Sequence, residues 1–205
     1  MSKHTDSEKG LYMRAGTRLN PFVVADANLC IGCRVCEIAC ASAHTKGDEL
    51  LTIGNINTPI QPRLYLVRDG QTAVPVQCRH CEDAPCAQSC PVDAICQVDG
   101  VILIDDKRCI GCKSCMMACP FGAIELMPLY DQGRPVIQHL PLDNDECKQA
   151  YFASKCDRCA HLEEPACIAN CTRNALKIFQ PENHKDSRMV AAAKSLSQFA
   201  GNYSH

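Results

Sequence analysis

The sequence predicts an α+β fold made of two small units, irregular connectors and a C-terminal helix. Two observations favour this fold class. The 205 residues include 18 cysteines, about 9% of the chain, a share typical of disulfide scaffolds and metal proteins. Apolar segments are short and bounded by turn residues, and five Phe, five Tyr and no Trp leave few large core side chains. Such a thin organic core predicts that bound inorganic groups or cross-links stabilise the units.

Sixteen of the cysteines fall into four groups of four. The groups are Cys30, Cys33, Cys36 and Cys40; Cys78, Cys81, Cys86 and Cys90; Cys109, Cys112, Cys115 and Cys119; and Cys156, Cys159, Cys167 and Cys171. Groups one and three have the C-x2-C-x2-C-x3-C spacing of bacterial ferredoxins, and groups two and four widen the middle gap to four and seven residues. In such a group three cysteines wrap one iron–sulfur cube from a tight loop, whose turn Gly32 and Gly111 relieve in groups one and three. The spacing predicts ligands for four 4Fe-4S clusters.

The connections between the groups predict which groups pair. A hairpin about Asp99-Gly100 joins groups two and three, as expected inside one two-cluster unit. Groups one and four then pair, because the strand-like PFVVAD before Cys30 and ALKIF after Cys171 can lie side by side. A second hairpin, with Asp69-Gly70 at its turn, is predicted within RLYLVRDGQTAVPVQ.

In two-cluster ferredoxins the fourth cysteine of a group ligates the other cluster of the pair. If it crosses over here, the ligand sets are Cys30, Cys33, Cys36 with Cys171; Cys156, Cys159, Cys167 with Cys40; Cys78, Cys81, Cys86 with Cys119; and Cys109, Cys112, Cys115 with Cys90. The predicted domains are a polar arm over 1–21, a first ferredoxin-like unit over 22–77 and 147–180, a second over 78–127, an irregular connector over 128–146, and a helix over 181–205.

Structural zinc and disulfides are the alternatives for these cysteines. Zinc sites separate two C-x2-C pairs by roughly 12 to 20 residues, whereas here the third and fourth cysteines follow within one loop and helix. Disulfides need an oxidising compartment, and the first twenty residues contain neither an apolar export segment nor a twin-arginine pair. Cys96 and Cys147 belong to no group and are predicted to be thiols that bind no metal.

Charge and motifs exclude several classes of function. The formal charge of -2 and the isoelectric point near 6.4 argue against a nucleic-acid partner. No apolar run approaches the roughly 18 to 20 residues of a membrane span. The sequence contains no G-x-G-x-x-G, Walker loop or nucleophile motif, so no catalytic residue is predicted. The expected location is the cytoplasm, with any membrane association made through partners.

Charged side chains lie inside or beside the cysteine loops. The cations are Arg34, Arg79, Lys113, Lys155 and Arg158, and the histidines considered as ligands or proton carriers are His44, His80, His139 and His161. A cation near a cluster favours its reduced state, but an ordinary solvated or ion-paired residue is the alternative for each. The histidines are not expected to be ligands, because sixteen thiolates already complete four sites.

The four groups, together with HCEDAPC, SCPVDAI and CIGCKSCMMACPFGAI, resemble the four-cluster electron-transfer subunits of molybdopterin oxidoreductases. The resemblance covers about residues 22–180 and is nearest to the small iron–sulfur subunit of formate hydrogenlyase and of formate dehydrogenase–hydrogenase complexes. It implies a chain of clusters that links a molybdenum or tungsten catalytic subunit to a hydrogenase or another iron–sulfur subunit. It also supports the crossed pairing. Some members with Trp at the second position of group three hold a three-iron cluster, and Cys112 at that position argues for four cubes.

Other functions stay open at this point. The same conducting role can serve an aldehyde oxidoreductase or a carbon monoxide dehydrogenase, and the chain can also be a free polyferredoxin or a zinc-stabilised interaction module. Apolar residues recur at three- or four-residue steps in the last segment, at Met189, Ala193, Leu196 and Ala200, with Ala192 and Phe199 on a neighbouring stripe. They predict an amphipathic helix of about four turns ending at Gly201. The helix is expected to dock on a partner subunit or another copy of the complex, and packing on its own chain is the alternative.

Overall fold

A computed structural model describes residues 19–45, 59, 61–131, 133–139 and 147–201. Most of the predicted 1–21 arm and the end of the connector, 140–146, lie outside the described residues, as do 202–205 and the side chains of Phe199 and Ala200. The helices are α1 (Val35–Ala43), α2 (Pro85–Gln88), α3 (Ser114–Ala118), α4 (Ala166–Ala169) and α5 (Pro181–Gly201). The strands are β1 (Phe22–Ala25), β2 (Tyr65–Asp69), β3 (Thr72–Val76), β4 (Ile95–Val98), β5 (Val101–Ile104), β6 (Glu125–Pro128), β7 (Tyr130–Asp131), β8 (Arg134–Pro135), β9 (Ile137–His139), β10 (Cys147–Gln149), β11 (Tyr151–Ser154) and β12 (Leu176–Phe179).

The described strands form six antiparallel pairs, and the α+β class is confirmed. Both predicted hairpins are present, β2 with β3 and β4 with β5. In the second hairpin Val98 pairs with Val101, so Asp99 and Gly100 form a two-residue loop with φ of 48° and 73°. Two positive φ angles are the geometry of the type I′ turn that Asp-Gly predicts.

Strands β1 and β12 bring the two ends of the first unit together. Phe22 pairs with Phe179 and Ala25 with Leu176, and the two phenylalanine rings lie 5.3 Å apart between centroids. The predicted pairing of PFVVAD with ALKIF is confirmed. Helix α1 packs against α4 in this unit, while α2 packs against α3 in the other.

Two features differ from the predicted boundaries. Strand β11 pairs with β6, with Ser154 opposite Glu125, and its Ala153 packs in the core of the second unit. Residues 151–154 therefore extend the second unit, although they were assigned to the first. Part of the connector predicted to be irregular forms short ladders instead, β7 with β8 and β9 with β10. The partners in β6 and β11 are more than twenty residues apart, so their pairing leaves no local sequence signal. The ladders of the connector are only two or three residues long in each strand, too short for an alternating pattern to predict them.

Each unit has a small core to which its cysteines contribute. The core of the first unit contains Val23, Cys36, Cys40, Leu64, Cys167 and Leu176. The core of the second contains Ala84, Cys86, Ile95, Ile102, Cys115, Ile124 and Ala153. The cysteine loops therefore lie directly on the apolar cores.

Helix α5 is longer than predicted and exposed. It spans 21 residues, nearly six turns, and residues 182–197 are all exposed. The helix contacts the rest of the described chain at its first turn. There Glu182 Oε1 accepts a 3.2 Å hydrogen bond from Leu19 N–H, and the centroid of the His184 ring lies 5.4 Å from that of Phe179. Leu196 is 70% exposed, so the described part of the helix does not pack along its own chain. Among the described helices none combines the length and apolarity needed to cross a membrane.

Candidate metal centres

The four cysteine loops share one backbone feature. In every group the residue before the second cysteine has a left-handed conformation, and these residues are Gly32, His80, Gly111 and Arg158, with φ between 49° and 69°. The glycines were predicted to relieve this turn. A Cβ at Gly111 would lie 2.7 Å from the carbonyl oxygen of Tyr151, so a larger residue there requires the backbone to move. The common turn indicates that groups with different spacing fold their first two cysteines in the same way.

The fourth cysteines share a hydrogen-bond pattern in three of the groups. The N–H four residues further on donates to the sulfur, from Ala94 to Cys90 (3.3 Å), from Ala123 to Cys119 (3.5 Å) and from Ala175 to Cys171 (3.2 Å). Group one differs because Cys40 lies within α1, and its sulfur accepts from Arg63 N–H at 3.3 Å instead. N–H donors stabilise the thiolate relative to the thiol, and the thiolate is the form that binds metal.

Two of the predicted ligand sets each line one cavity. One cavity is bordered by the four sulfur-bearing residues Cys30, Cys33, Cys36 and Cys171. The other is bordered by Cys90, Cys109, Cys112 and Cys115. In both cases three cysteines come from one group and the fourth comes from the group predicted to pair with it.

Cysteines of the other two sets interact electrostatically across the groups. Burial is the main cause that raises the pKa of Cys167, to about 12, and the thiolate of Cys40 is the next cause. Burial also raises the pKa of Cys81 and of Cys86, and Cys119 adds to both increases. Buried thiols resist ionisation in water, so a bound metal group is needed to hold them as thiolates.

The spacing of the sulfurs fits a group larger than one ion. In a tetrahedral zinc site with Zn–S bonds of about 2.3 Å, the sulfurs lie about 3.8 Å apart. The described residues include all eighteen cysteines, yet the one set of three potential ligand atoms that lie within 4.8 Å of each other belongs to His44, Asp157 and Cys159. No two of the eighteen cysteines form a disulfide. Four open thiol sets with N–H donors aimed at sulfur suit iron–sulfur cubes.

His44 links the two groups of the first unit. Its Nδ1 lies 2.7 Å from the carbonyl oxygen of Cys40, and its Nε2 lies 2.9 Å from Oδ1 of Asp157. Both partners are acceptors, so the ring carries hydrogen on both nitrogens. Burial is the largest single influence on the pKa of His44 and lowers it, but the hydrogen bonds to Asp157, Cys159 and Cys40 together outweigh burial and raise the pKa to about 12. Arg63 Nη1 lies 2.7 Å from the second carboxylate oxygen of Asp157.

Sequence reasoning left this cluster of charges out. The signal in the sequence was the placement of His44 four residues after Cys40, which puts both on one face of α1. Asp157 and Arg63 come from distant segments, and spacing alone cannot bring them to His44.

Exposure divides the four groups into two kinds. Cys33 and Cys112 are exposed, and the isoleucines in the same loops, Ile31 and Ile110, are 59% and 60% exposed. By contrast Cys156 and Cys159 are buried, as are Cys78 and Cys86 in group two. Groups one and three therefore reach the surface through one exposed cysteine each, while groups two and four, in which no cysteine is exposed, are the covered groups.

Comparison with known proteins agrees with this geometry. Two profiles of the 4Fe-4S dicluster domain match, one over residues 71–127 and one over 108–162. The electron transport protein HydN of Escherichia coli (strain K12) is 40% identical over 161 residues, which cover 77% of this chain and 87% of that protein. An iron-sulfur protein of Rhodospirillum rubrum is 34% identical over 185 residues, with 87% and 92% covered. Formate hydrogenlyase subunit 2 of Escherichia coli (strain K12) is 37% identical over 181 residues, with 78% and 82% covered.

The folded cysteine groups and the matching profiles define a protein with two 4Fe-4S dicluster domains, and it carries four 4Fe-4S clusters. The predicted cofactors are confirmed. The chain belongs to the family of iron–sulfur electron-transport proteins that includes HydN and formate hydrogenlyase subunit 2. Its general role is electron transfer.

Proposed function

We propose that this chain conducts electrons, with no turnover of its own, between a formate dehydrogenase (CO2 reductase)-type catalytic subunit and a hydrogenase or another iron–sulfur acceptor. The catalytic partner is expected to hold molybdenum or tungsten, and the complex is expected in the cytoplasm. The family relationship to formate hydrogenlyase subunit 2 supports the choice of partners. A bound 4Fe-4S cluster supplies one-electron exchange with little structural change.

The ligand sets belong to the same proposal. We infer that all sixteen grouped cysteines are ligands and that the fourth cysteine of each group crosses to the paired cluster. The two cavities lined by three cysteines of one group and the fourth of another support this for the clusters of groups one and three. The influence of Cys40 on Cys167 and of Cys119 on Cys86 supports it for groups four and two.

The exposure of the two outer groups is the observation that carries the conducting role. The exposed apolar residues of group one include Ile31 in the loop and Ile38 in α1. Ile110 in the loop and Met117 in α3 occupy the equivalent positions of group three, and both are exposed. Each outer cluster thus has an apolar rim that a redox subunit can cover, and covering it excludes water and shortens the path to the partner's own cluster. A chain with two such rims and two covered groups suits a conductor with one partner at each end.

The test is purification of the native complex under anaerobic conditions with an N-terminal tag on this chain. We expect copurified formate-oxidising and hydrogen-activating subunits, and we expect both formate and hydrogen gas to reduce the clusters, as followed by electron paramagnetic resonance. Matched variants sharpen the result. Ile31→Glu and Ile110→Glu should each abolish reduction from one of the two donors, whereas Val98→Glu, a 48% exposed apolar site away from both rims, should leave both reductions intact.

The outcomes of this experiment separate the competing functions. Reduction by carbon monoxide or an aldehyde, and not by formate, would replace the formate partner. A chain that purifies alone at full cluster content would support a free polyferredoxin. Stoichiometric zinc with little sulfide would refute iron–sulfur function altogether.

We also propose that α5 joins this chain to another subunit or another copy of the complex. Its described residues beyond the first turn are exposed, including Met189, Val190 and Leu196. Deleting residues 185–205 keeps the contacts of Glu182 and His184, so iron content and cluster spectra should stay unchanged while the native assembly loses mass on gel filtration. Lost clusters with an unchanged assembly would contradict the proposal.

A further inference from the structure

Lys155 is a buried cation at the junction of the two units. Its side chain is 3% exposed, and its Nζ donates to the carbonyl oxygen of Ile102 in β5 and, at 3.0 Å, to that of Cys156 in group four. Within the described residues no carboxylate forms an ion pair with it. A buried ammonium bonded only to neutral carbonyls is costly unless negative charge lies nearby.

A buried donor without an acceptor, on the ring of His80, lies at the same junction. His80 is completely buried, and its Nδ1 accepts a 3.0 Å hydrogen bond from the N–H of Ile102. The ring proton of the neutral histidine is therefore on Nε2, which has no hydrogen-bond partner. Ile102 thus contacts both side chains, His80 through its N–H and Lys155 through its carbonyl. A buried ammonium without a carboxylate partner and a buried ring N–H without an acceptor, in one region, indicate an anionic group beside them.

The cysteines around this region come from groups two and four. Cys156 of group four follows Lys155 directly, and its carbonyl oxygen accepts from the Lys155 ammonium. On the other side Ile102 accepts from the same ammonium through its carbonyl and donates through its N–H to His80, which lies in the loop of group two between Cys78 and Cys81. The ammonium therefore lies between the loops of both groups. A cube held by four thiolates carries about two negative charges, which is the missing counter-charge.

We propose that Lys155 is the shared counter-cation of the two covered clusters, those of groups two and four, and that it favours their reduced state over that of the two outer clusters. The inference rests on the proposed ligand sets. Because the positive charge is buried between the groups, water screens it little, unlike the exposed cation Lys113 in the loop of group three. Lys155 acts on the clusters through its positive charge and does not ligate iron.

A purely structural role is the competing explanation, since Lys155 also ties β5 to the loop of group four. Three variants separate the two roles. Lys155→Met keeps the apolar stem without the charge, Lys155→Gln keeps an N–H donor without the charge, and Lys155→Arg keeps the charge. Lys113→Met is the matched control, because it removes a cation that is also beside a cluster loop but exposed to solvent.

The experiment is a redox titration of the anaerobically purified full chain, followed by electron paramagnetic resonance. With Lys155→Met or Lys155→Gln we expect two of the four midpoint potentials to fall. The equilibrium constant for reduction of each of these clusters should decrease about tenfold, which is ~59 mV for a one-electron couple. Lys155→Arg should keep them near their original values, and Lys113→Met should leave those two unchanged.

Separate outcomes overturn the two proposals. A wild-type chain with fewer than four clusters would contradict the ligand sets on which the inference rests. Full iron with four unchanged midpoints in either neutral variant would overturn the role of Lys155 alone. Loss of iron in both neutral variants but not in Lys155→Arg would assign Lys155 to cluster assembly and would also overturn it.

Discussion

We expect anaerobic removal of iron and sulfide to unfold this chain. The described residues contain 24 buried apolar side chains, of which eight are cysteines and eight are alanines. Of the remaining eight aliphatic side chains, only six lie in the two cores, three in each, and the described sheets have only two strands. A two-stranded sheet on so small a core is not stable alone, so the clusters supply the missing stabilisation.

The expected measurement is amide hydrogen exchange after treatment with a strong iron chelator and reductant. Amides of β1, β5 and β12 should lose their protection together, and the cooperative thermal transition should disappear. The control is the same chelator already saturated with iron, which should leave the protein folded. An iron-free chain that keeps a cooperative transition would contradict the view that the clusters form the core.

Replacing Cys112 with serine should remove one cluster and leave three. Cys112 is exposed and belongs to none of the other three proposed ligand sets, so the chain should keep about twelve of about sixteen iron atoms. Because the cluster of group three is one of the two exposed ends, electron exchange with one partner should also be lost. Iron and acid-labile sulfide analysis, with single-turnover reduction from each end, measures both effects.

The matched controls are Cys96→Ala and Cys147→Ala. Both cysteines are exposed and lie on strands β4 and β10, outside the four groups. Each variant should keep its full iron content and its electron transfer. A Cys112→Ser protein with all its iron and normal conduction would show that Cys112 is not a ligand.

Spacing along the chain was sufficient to predict the kind of site. Four cysteines within eleven to sixteen residues leave a loop and a helical turn little choice of conformation, so the cofactor type could be inferred before the fold was known. The same holds for the hairpin at Asp99-Gly100, whose turn needs two positive φ angles. The pairing of β1 with β12 was also predictable, because two strand-like segments flank groups that had to meet.

Features that join distant segments follow from the packing of the whole chain. The amino-acid sequence alone was sufficient to predict the four cysteine groups, both hairpins and the presence of a C-terminal helix, since each depends on residues that are neighbours in the chain. It did not determine that β11 completes a ladder with β6, that Asp157 and Arg63 meet His44, or that Lys155 is buried between the units. Burial and charge pairing arise when segments separated by tens of residues pack together, and the energy of those contacts depends on the whole fold and not on local spacing.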